Sequence, residues 1–311
     1  MSPDVAESIK ARLLNQAKAH GEEFERTLTR FAAERLLFRL GASAARDRCI
    51  LKGASLLAVW LPDPYRATRD VDVLASGPAD DAAIRSLVGE VCAVACPEDG
   101  LRFDLFRAGR GGDPSGEGAL REACPLPCVA WQRAHHGAAR PRLRRRLGRA
   151  TRGNRVSDDA EDVAAARLRA YPRETTVAEK FEAMVKLDTG NSRMKDFHDV
   201  WALAGTFAFD GPSLQKAIAA CFERRATPWT SEAPRALTAA FYQIPDIQTR
   251  WRRYLTAGAV LAPPPAQFEV IGERIIQFLG HVRNSIVEEA PFDLAWPPGG
   301  PWMLPSERTR S

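Results

Sequence analysis

Two aspartates separated by a single residue are the clearest candidates for chemistry in this sequence. Asp70 and Asp72 alternate with Val71 and Val73, a pattern typical of a half-buried strand. Side chains two positions apart on a strand lie on the same face, so the two carboxylates repel each other unless a cation lies between them. Mg²⁺ is bound by one or two carboxylates together with phosphate oxygens. The pair therefore predicts a Mg²⁺ site; the alternative is two solvent-facing aspartates on an edge strand.

A glycine-containing turn upstream of the aspartates is a candidate for binding nucleotide phosphates. Residues 52–55, Lys-Gly-Ala-Ser, lie between an apolar run at 49–51 and an apolar segment at 56–61. This order predicts a strand, a tight turn and a helix, and a helix start offers N–H groups and a favourable dipole to phosphate. The alternative is a tight turn without a ligand. Because the Asp70 strand follows, the elements arrive in the order that a nucleotide-binding site needs.

The elements that must position these residues form a small α/β unit. Apolar residues recur at helical spacing from Phe24 to Leu40, and Gly41 predicts the end of that helix. Residues 80–95 predict a second helix. Residues 101–106 alternate between apolar and polar types, which predicts a second strand of this kind.

The stretch from Arg107 to Ser157 has no sustained periodicity and is rich in Arg, Gly and Pro. Three interpretations stay open: a disordered linker, a segment encoded in a shifted reading frame, and a basic loop that grips RNA. The cysteines and histidines in this stretch match no zinc-binding spacing, so we predict no metal there.

The C-terminal half of the chain is predicted to be mainly α-helical. A strongly patterned helix is expected from Val177 to Leu187 after an N-cap region at 174–176. Further helices are expected at 192–207, 213–225, 233–257 and 265–282, and the Pro-rich tail from Pro291 is expected to be irregular. We therefore predict an α+β protein with two domains, residues 1–165 and 166–311.

Composition favours a cytoplasmic protein with a polyanionic partner. The net charge of +5 is mildly basic. The six cysteines lack paired C-x-x-C spacing, which favours reduced thiols. The longest apolar runs are far shorter than the roughly 20 residues that span a bilayer, and the start of the chain does not resemble a signal peptide. No membrane association is expected.

The sequence resembles the AbiEii/AbiGii toxin family, which includes the mycobacterial MenT toxins. The resemblance covers roughly residues 34–106 and 171–205. Its motifs are Lys52-Gly53-Ala54-Ser55, then Arg66-x-Thr68-x-Asp70-x-Asp72, then Ala178-Glu179-Lys180-Phe181, then Asn191-Ser192-Arg193-Met194-Lys195-Asp196-x-x-Asp199. It implies a nucleotidyltransferase core like that of DNA polymerase beta followed by a helical domain. It also implies NTP and Mg²⁺ as ligands, a cognate antitoxin, a role in toxin–antitoxin or phage-defence loci, and the tRNA 3′ end as acceptor.

The resemblance also implies a role for each matching residue. Asp70 and Asp72 would be metal ligands, and Lys180 would neutralise the triphosphate, for which a lysine point charge is suited. Asp196 would orient either the acceptor or Lys180. The nucleotide-binding set would comprise Lys52, Gly53, Ser55, Arg66 and Asp199. The alternatives are a solvated helix lysine at Lys180 and ordinary surface charges at Asp196 and Asp199.

This chain departs from the family pattern in two places. Ala54 stands where the family usually has a second glycine, which would crowd the backbone near the phosphates. The family also has a strand with a further carboxylate after the Asp-x-Asp strand, and no residue between Arg107 and Ser157 matches it. Asp104 is the one candidate to replace it. Without that carboxylate, the site would bind NTP and catalyse poorly.

A basic surface is expected to hold the RNA acceptor. Candidates are the arginines between Arg140 and Arg155 and those at 250, 252 and 253. The latter flank Trp251 and Tyr254, which would stack on an unpaired base or belong to the core.

Thr68 is a candidate for regulatory phosphorylation. If the strand begins by Thr68, its hydroxyl lies on the face of both carboxylates. A phosphate there would add about −1.5 to −2 charges beside a metal and triphosphate site, which predicts an antitoxin that is a kinase. The alternative is a hydroxyl that bonds its own turn.

Three functions remain open at this point. The first is a Mg²⁺-dependent nucleotidyltransferase toxin that transfers NMP from NTP to RNA. The second is a toxin-fold protein that binds NTP or an antitoxin with little turnover. The third is a phosphotransferase that acts on protein.

Overall fold

The chain divides into two compact units, Met1–Tyr171 and Pro172–Ser311, in a computed structural model. The boundary lies six residues after the one expected from the sequence. The structure describes residues 3–61, 66, 68, 70–78, 80–103, 128–133, 167–257 and 260–306, with the backbone alone at residues 3, 4, 58, 70 and 128–133.

Two helices open the first unit. Helix α1 spans Pro3–His20 and helix α2 spans Phe24–Ala42. The second helix continues through Gly41, which the sequence predicted as its end, and Ser43 closes it by donating its backbone N–H to the Arg39 carbonyl oxygen. A short 3-10 helix then leads into the sheet.

A four-stranded sheet forms the centre of the first unit. Its strands are β1 (Cys49–Lys52), β2 (Asp70–Ala75), β3 (Cys128–Arg133) and β4 (Arg169–Ala170). The order is β3-β2-β1-β4, with β1 antiparallel to β2 and the other two pairings parallel. Strand β2 thus lies between β3 and β1, and the edge-strand alternative is excluded for Asp72, which is paired on both sides, whereas Asp70 is paired with Cys128 of β3.

The apolar side chains of the sheet build the core of the first unit. Leu51, Val71 and Val73 are at most 2% exposed and pack with residues of α2 and of two further helices. These helices are α3 (Ser55–Trp60) and α4 (Asp81–Cys92). The Asp80 side chain caps α4 by accepting the Ala83 N–H at 2.8 Å. The alternation in β2 therefore faces Val71 and Val73 inward, as predicted.

The structure differs from the sequence analysis of the first unit in two places. Strand β3 lies inside the 107–157 stretch, where the sequence showed no periodicity, because pairing with β2 supplies what local pattern lacks. Leu101–Phe103, part of a predicted strand, has no regular structure, and the rest of that segment lies outside the described residues.

The second unit is mainly helical, as predicted. Its helices are α5 (Arg173–Leu187), α6 (Met194–Thr206), α7 (Gly211–Arg224), α8 (Ala239–Tyr242), α9 (Pro245–Thr256) and α10 (Phe268–Val287). The two short strands β5 (Phe209–Asp210) and β6 (Ala295–Trp296) pair in antiparallel register.

The segment predicted as one helix at 233–257 is broken, and the predicted irregular tail is packed. Pro245 starts α9 because proline favours the first helical position, where its missing N–H costs nothing. In the tail, Trp296 is fully buried and donates its indole N–H to the Ala204 carbonyl oxygen at 2.7 Å. Tertiary contacts thus order the tail.

The helices and cysteines of the described residues bear on the expectations for membrane spans and for thiols. Within that part of the chain, no helix has the length and apolarity needed to cross a bilayer. Cys49, Cys92, Cys96 and Cys221 are free thiols. Burial raises the pKa of the Cys49 thiol to about 11. This thiol therefore stays protonated at neutral pH.

Candidate active site

The turn between β1 and α3 has a backbone conformation that glycine adopts readily. Gly53 has a φ of +70°, in the left-handed region where other residues are strained. Ser55, which is 5% exposed, starts α3 and donates its hydroxyl to the Lys52 carbonyl oxygen at 3.4 Å. We call residues 52–55 the Gly53 turn.

The Gly53 turn and the Asp72 carboxylate form one structure. Lys52 and Asp72 are partners across β1 and β2, and a Cβ atom added at Gly53 would lie 2.0 Å from Asp72 Oδ2. Only a residue without a side chain allows this approach. The backbone proposed to bind phosphate therefore contacts the carboxylate proposed to bind metal.

The other predicted residues of the first unit occupy defined positions around this turn. Lys52 is 8% exposed, with its ammonium 5.5 Å from the centre of the Tyr171 ring. Arg66 is 7% exposed. Asp70 is the first residue of β2, opposite Cys128 of β3, and its side chain lies outside what the structure describes.

Thr68 precedes the strand and is partly buried. Strand β2 begins at Asp70, so the same-face argument for the Thr68 hydroxyl does not hold. The phosphorylation hypothesis therefore rests on the position of Thr68 two residues before Asp70.

The strand beside β2 carries no acidic residue. Strand β3 has the sequence Cys-Val-Ala-Trp-Gln-Arg and runs parallel to β2. The further carboxylate that the family resemblance implies is therefore absent from β3, although a strand is present there. The proposed substitute, Asp104, lies outside the described residues.

Lys180, Asp196 and Asp199 come together in the second unit. Lys180 Nζ lies 2.9 Å from Asp196 Oδ1 and 2.5 Å from Asp199 Oδ2, and Arg193 Nε lies 2.7 Å from Asp196 Oδ2. Both aspartates are 0% exposed and the Lys180 side chain is 11% exposed. None of the three is a solvated surface charge. We call these four residues the Lys180 cluster.

Two residues that sequence analysis assigned no positioning role support the Lys180 cluster. Asn191, fully buried, accepts the Arg193 N–H through its Oδ1 atom at 2.7 Å at the start of α6. Arg250 Nη1 donates to the carbonyl oxygens of Thr189 and Asn191 at 2.8 and 3.0 Å. An asparagine side chain that accepts the backbone N–H two residues later is a known local turn signal, so the first contact was predictable. No nearby sequence signal indicated the contacts of Arg250 with the two carbonyl oxygens.

Of the two aromatic residues proposed to stack on RNA, Trp251 belongs to the core and Tyr254 is partly buried. Trp251 is 1% exposed and donates its indole N–H to the Pro265 carbonyl oxygen at 3.3 Å. The Tyr254 hydroxyl lies 2.8 Å from His198 Nδ1. Arg252 and Arg253 of α9 are exposed, whereas the arginines between 140 and 155 lie outside the described residues. The exposed arginines are thus the remaining RNA candidates among the described ones.

The residues around the Gly53 turn fit a magnesium ion. Among the described residues, no three His, Cys, Asp or Glu side chains converge as a metal site. Mg²⁺ needs fewer protein ligands, since one or two carboxylates and substrate phosphate oxygens suffice. A half-buried Asp72 carboxylate against a backbone turn meets that requirement.

Comparisons with known proteins identify the family. The model of the nucleotidyl transferase AbiEii toxins of type IV toxin–antitoxin systems matches residues 35–274. Among solved structures, the chain is similar to MenT4, a nucleotidyltransferase toxin from Mycobacterium tuberculosis H37Rv. The TM-score is 0.50 at 15% identity, over 91% of this chain and 99% of that chain. No curated protein matches the chain.

The structural match confirms the predicted nucleotidyltransferase fold, and the family match covers more than half of the chain. The chain therefore belongs to the AbiEii family and is a nucleotidyltransferase toxin of the type IV toxin–antitoxin class.

Proposed function

We propose that this toxin transfers a nucleoside monophosphate from an NTP onto RNA, with Mg²⁺ as the metal and the tRNA 3′ end as the acceptor. One observation carries the proposal: the Asp72 carboxylate lies so close to Gly53 that no Cβ atom fits between them. A phosphate held by the backbone of the Gly53 turn would lie beside this carboxylate, and a Mg²⁺ ion bound by both would offset their repulsion.

Asp70 and Asp72 are the proposed metal ligands, and the bound metal would neutralise charge on the phosphates. Lys52, Gly53, Ser55 and Arg66 would hold the NTP. The RNA 3′-hydroxyl would attack the α-phosphorus in line and lose its proton to solvent, while the bond from that phosphorus to the bridging oxygen breaks and pyrophosphate leaves. The protein contributes positioning and charge neutralisation, which supply most of the catalysis in such transfers.

Lys180 is the proposed cation for the triphosphate, and Asp196 and Asp199 fix its position. Of the two roles considered for Asp196, the 2.9 Å contact with Lys180 supports orienting the lysine over orienting the acceptor. Asp199 would serve nucleotide binding through the same lysine. Two buried carboxylates already hold the Lys180 side chain in one position in the folded protein. Binding of the triphosphate would therefore cost little further side-chain entropy.

RNA as acceptor is supported by charge. The chain has a net charge of +5, and two adjacent arginines on α9, Arg252 and Arg253, are exposed. Exposed cations contribute sequence-independent affinity for phosphodiester backbones.

The test is incubation of the purified full chain with each α-³²P-labelled NTP, Mg²⁺ and total RNA. Labelled RNA that disappears with EDTA and with Asp72→Asn would support the proposal. Labelled protein after incubation with γ-labelled NTP would instead support phosphotransfer to protein.

A second candidate function has one observation in its favour. Because β3 carries no acidic residue, the site would bind NTP and turn it over weakly, as a component of phage defence. NTP binding without labelled RNA at any NTP would favour this candidate.

We further propose a cytoplasmic location and a cognate antitoxin, which the type IV toxin–antitoxin family supports. The free thiols at four described cysteines fit a reducing compartment. Fractionation of cells that express the tagged chain would place it.

Phosphorylation of Thr68 by a kinase antitoxin is a related proposal. A phosphate two residues before Asp70 would repel a triphosphate or compete for the metal. The test compares Thr68→Glu with Thr68→Val in the labelling assay. Loss of labelling in Thr68→Glu alone is expected, and equal labelling in both variants would contradict the proposal.

A further inference from the structure

A cavity of about 440 Å³ lies in the helical unit. Its wall combines the ends of α5 and α7, the chain at 226–235 and Arg283 of α10. None of the predicted site residues lines it. Cavities of this size in proteins hold small organic molecules.

Arg283 is a buried charge in the wall of this cavity. The residue is 5% exposed, and its guanidinium donates to the carbonyl oxygens of Thr230, Ser231 and Glu232 and to Asn284 Oδ1. All four acceptors are neutral, and the buried Nε atom has no hydrogen-bond partner among the described residues. A buried charge is normally paired, because an uncompensated one is costly. An anion would supply what this side chain lacks.

The other arginines that line the cavity have acidic partners. Arg225 Nη1 lies 2.5 Å from Glu182 Oε2, and Arg235 Nε lies 3.7 Å from Asp188 Oδ2. With Lys186, four cations and two acidic residues line the cavity. The charge of the wall is therefore positive, and Arg283 is its buried cation without an acidic partner in the described part of the chain.

A stacked aromatic pair forms another part of the wall. The rings of Phe222 and Trp229 lie 4.0 Å apart at an angle of 9°. Both residues line the cavity. A flat, apolar surface beside a cation suits a ligand that has a ring and a negative group.

We infer that this cavity binds a small organic anion in which a flat ring carries a phosphate or a carboxylate. Arg283 contacts the negative group and Trp229 contacts the ring. None of the residues that line the cavity takes part in the proposed nucleotidyl transfer, and the inference does not depend on that proposal.

The indole N–H signals in ¹H–¹⁵N NMR spectra test the inference on the intact chain. The chain has seven tryptophans, and Trp229→Phe assigns the Trp229 signal. The probes are AMP for a phosphate, indole-3-acetate for a carboxylate, and adenosine and inorganic phosphate for the separate parts. EDTA is present, and titrations are repeated in Asp72→Asn to exclude effects of nucleotide bound near the Gly53 turn.

We expect AMP or indole-3-acetate to shift the Trp229 signal, with Asp72→Asn behaving like the wild type. Adenosine and inorganic phosphate should bind at least about tenfold more weakly. Arg283→Met should weaken binding about tenfold or more, since a charged hydrogen bond is lost. Arg274→Met, a control on the same helix whose guanidinium lies 4.8 Å from the Trp201 ring centre, should bind normally.

Because Arg283 also holds three carbonyl groups of the 230–232 segment, the wild-type titration is decisive on its own. No Trp229 shift with either anion, or equal affinity for adenosine or for inorganic phosphate, would overturn the inference. An equal loss of affinity in Arg274→Met would overturn the assignment to Arg283.

Discussion

The carboxylates of the two units differ in what surrounds them. Asp196 and Asp199 are fully buried and both contact Lys180, whereas Asp72 is partly exposed and lies against a backbone turn. Removing the partner of a buried charge destabilises the folded protein, because the charge is then neither paired nor hydrated. A partly exposed charge remains hydrated, so the loss of a partner costs less. Residues of one proposed reaction therefore carry different structural costs, and a variant has to be assessed for folding before it is assessed for activity.

The largest effect is expected from removing the cation of the Lys180 cluster. Lys180→Ala leaves two buried carboxylates without it, which lowers the free energy of unfolding by about 3–5 kcal/mol. Triphosphate binding and turnover should weaken together. Urea denaturation and NTP titration measure the two effects.

A variant that removes the charges of Lys180, Asp196 and Asp199 together provides the control for this prediction. Lys180→Met combined with Asp196→Asn and Asp199→Asn should recover most of the stability and none of the activity. An unchanged urea midpoint in Lys180→Ala would contradict the comparison between the two units.

The aspartates of β2 should show the opposite behaviour. Asp70→Ala and Asp72→Asn should lower RNA labelling by on the order of 10²–10³-fold and abolish toxicity, because the metal would lose a ligand. For Asp72→Asn, the free energy of unfolding should change by less than about 1 kcal/mol, since this carboxylate is partly exposed. A variant that stays toxic at equal expression would show that these carboxylates do not bind the catalytic metal.

Gly53→Ala tests whether the contact between the Gly53 turn and Asp72 matters for turnover, and Gly21→Ala is its matched control. Gly53 and Gly21 have φ angles of +70° and +64°, so alanine costs about 1–2 kcal/mol at either position. Only at Gly53 does the new Cβ atom meet the Asp72 carboxylate, whereas nothing lies within 4 Å at Gly21. Gly53→Ala should therefore lower turnover by about 10²-fold, and Gly21→Ala should not. Equal turnover in both variants would separate the turn from the reaction.

The smallest effect is expected at the exposed arginines of α9. Arg252→Gln and Arg253→Gln should each reduce the slope of log affinity for RNA against log salt by about 1. Lys216→Gln removes the same charge from an exposed position on α7 and serves as the control. A slope that changes only in the Lys216 variant would move the RNA surface away from α9.

The sequence pattern predicted the strand and helices that hold the site, because these elements depend on the spacing of apolar residues within each segment. Val71 and Val73 alternate with the aspartates and are buried, and the apolar positions of α5 face the core. Strand β3 and the packed tail could not be predicted, since each depends on a partner distant in sequence: β2 for one, and the Ala204 carbonyl for Trp296.

The sequence predicted which residues belong to the candidate site, but it did not predict their burial or their contacts. Spacing and resemblance selected Asp196 and Asp199, but their burial depends on how α5, α6 and Lys180 pack. The contact between Asp72 and Gly53 likewise arises from strand register, which places Lys52 opposite Asp72.

The pairing of β1 with β4 affects how the first unit folds. Ile50 is paired with Arg169, more than a hundred positions later, so the sheet is completed only after a very long chain closure. The entropy of closing a flexible loop grows with the logarithm of its length, at about 0.6 kcal/mol for each doubling. The same distant pairing makes this sheet a slow step in folding, since closure entropy is lost before the strand contacts repay it.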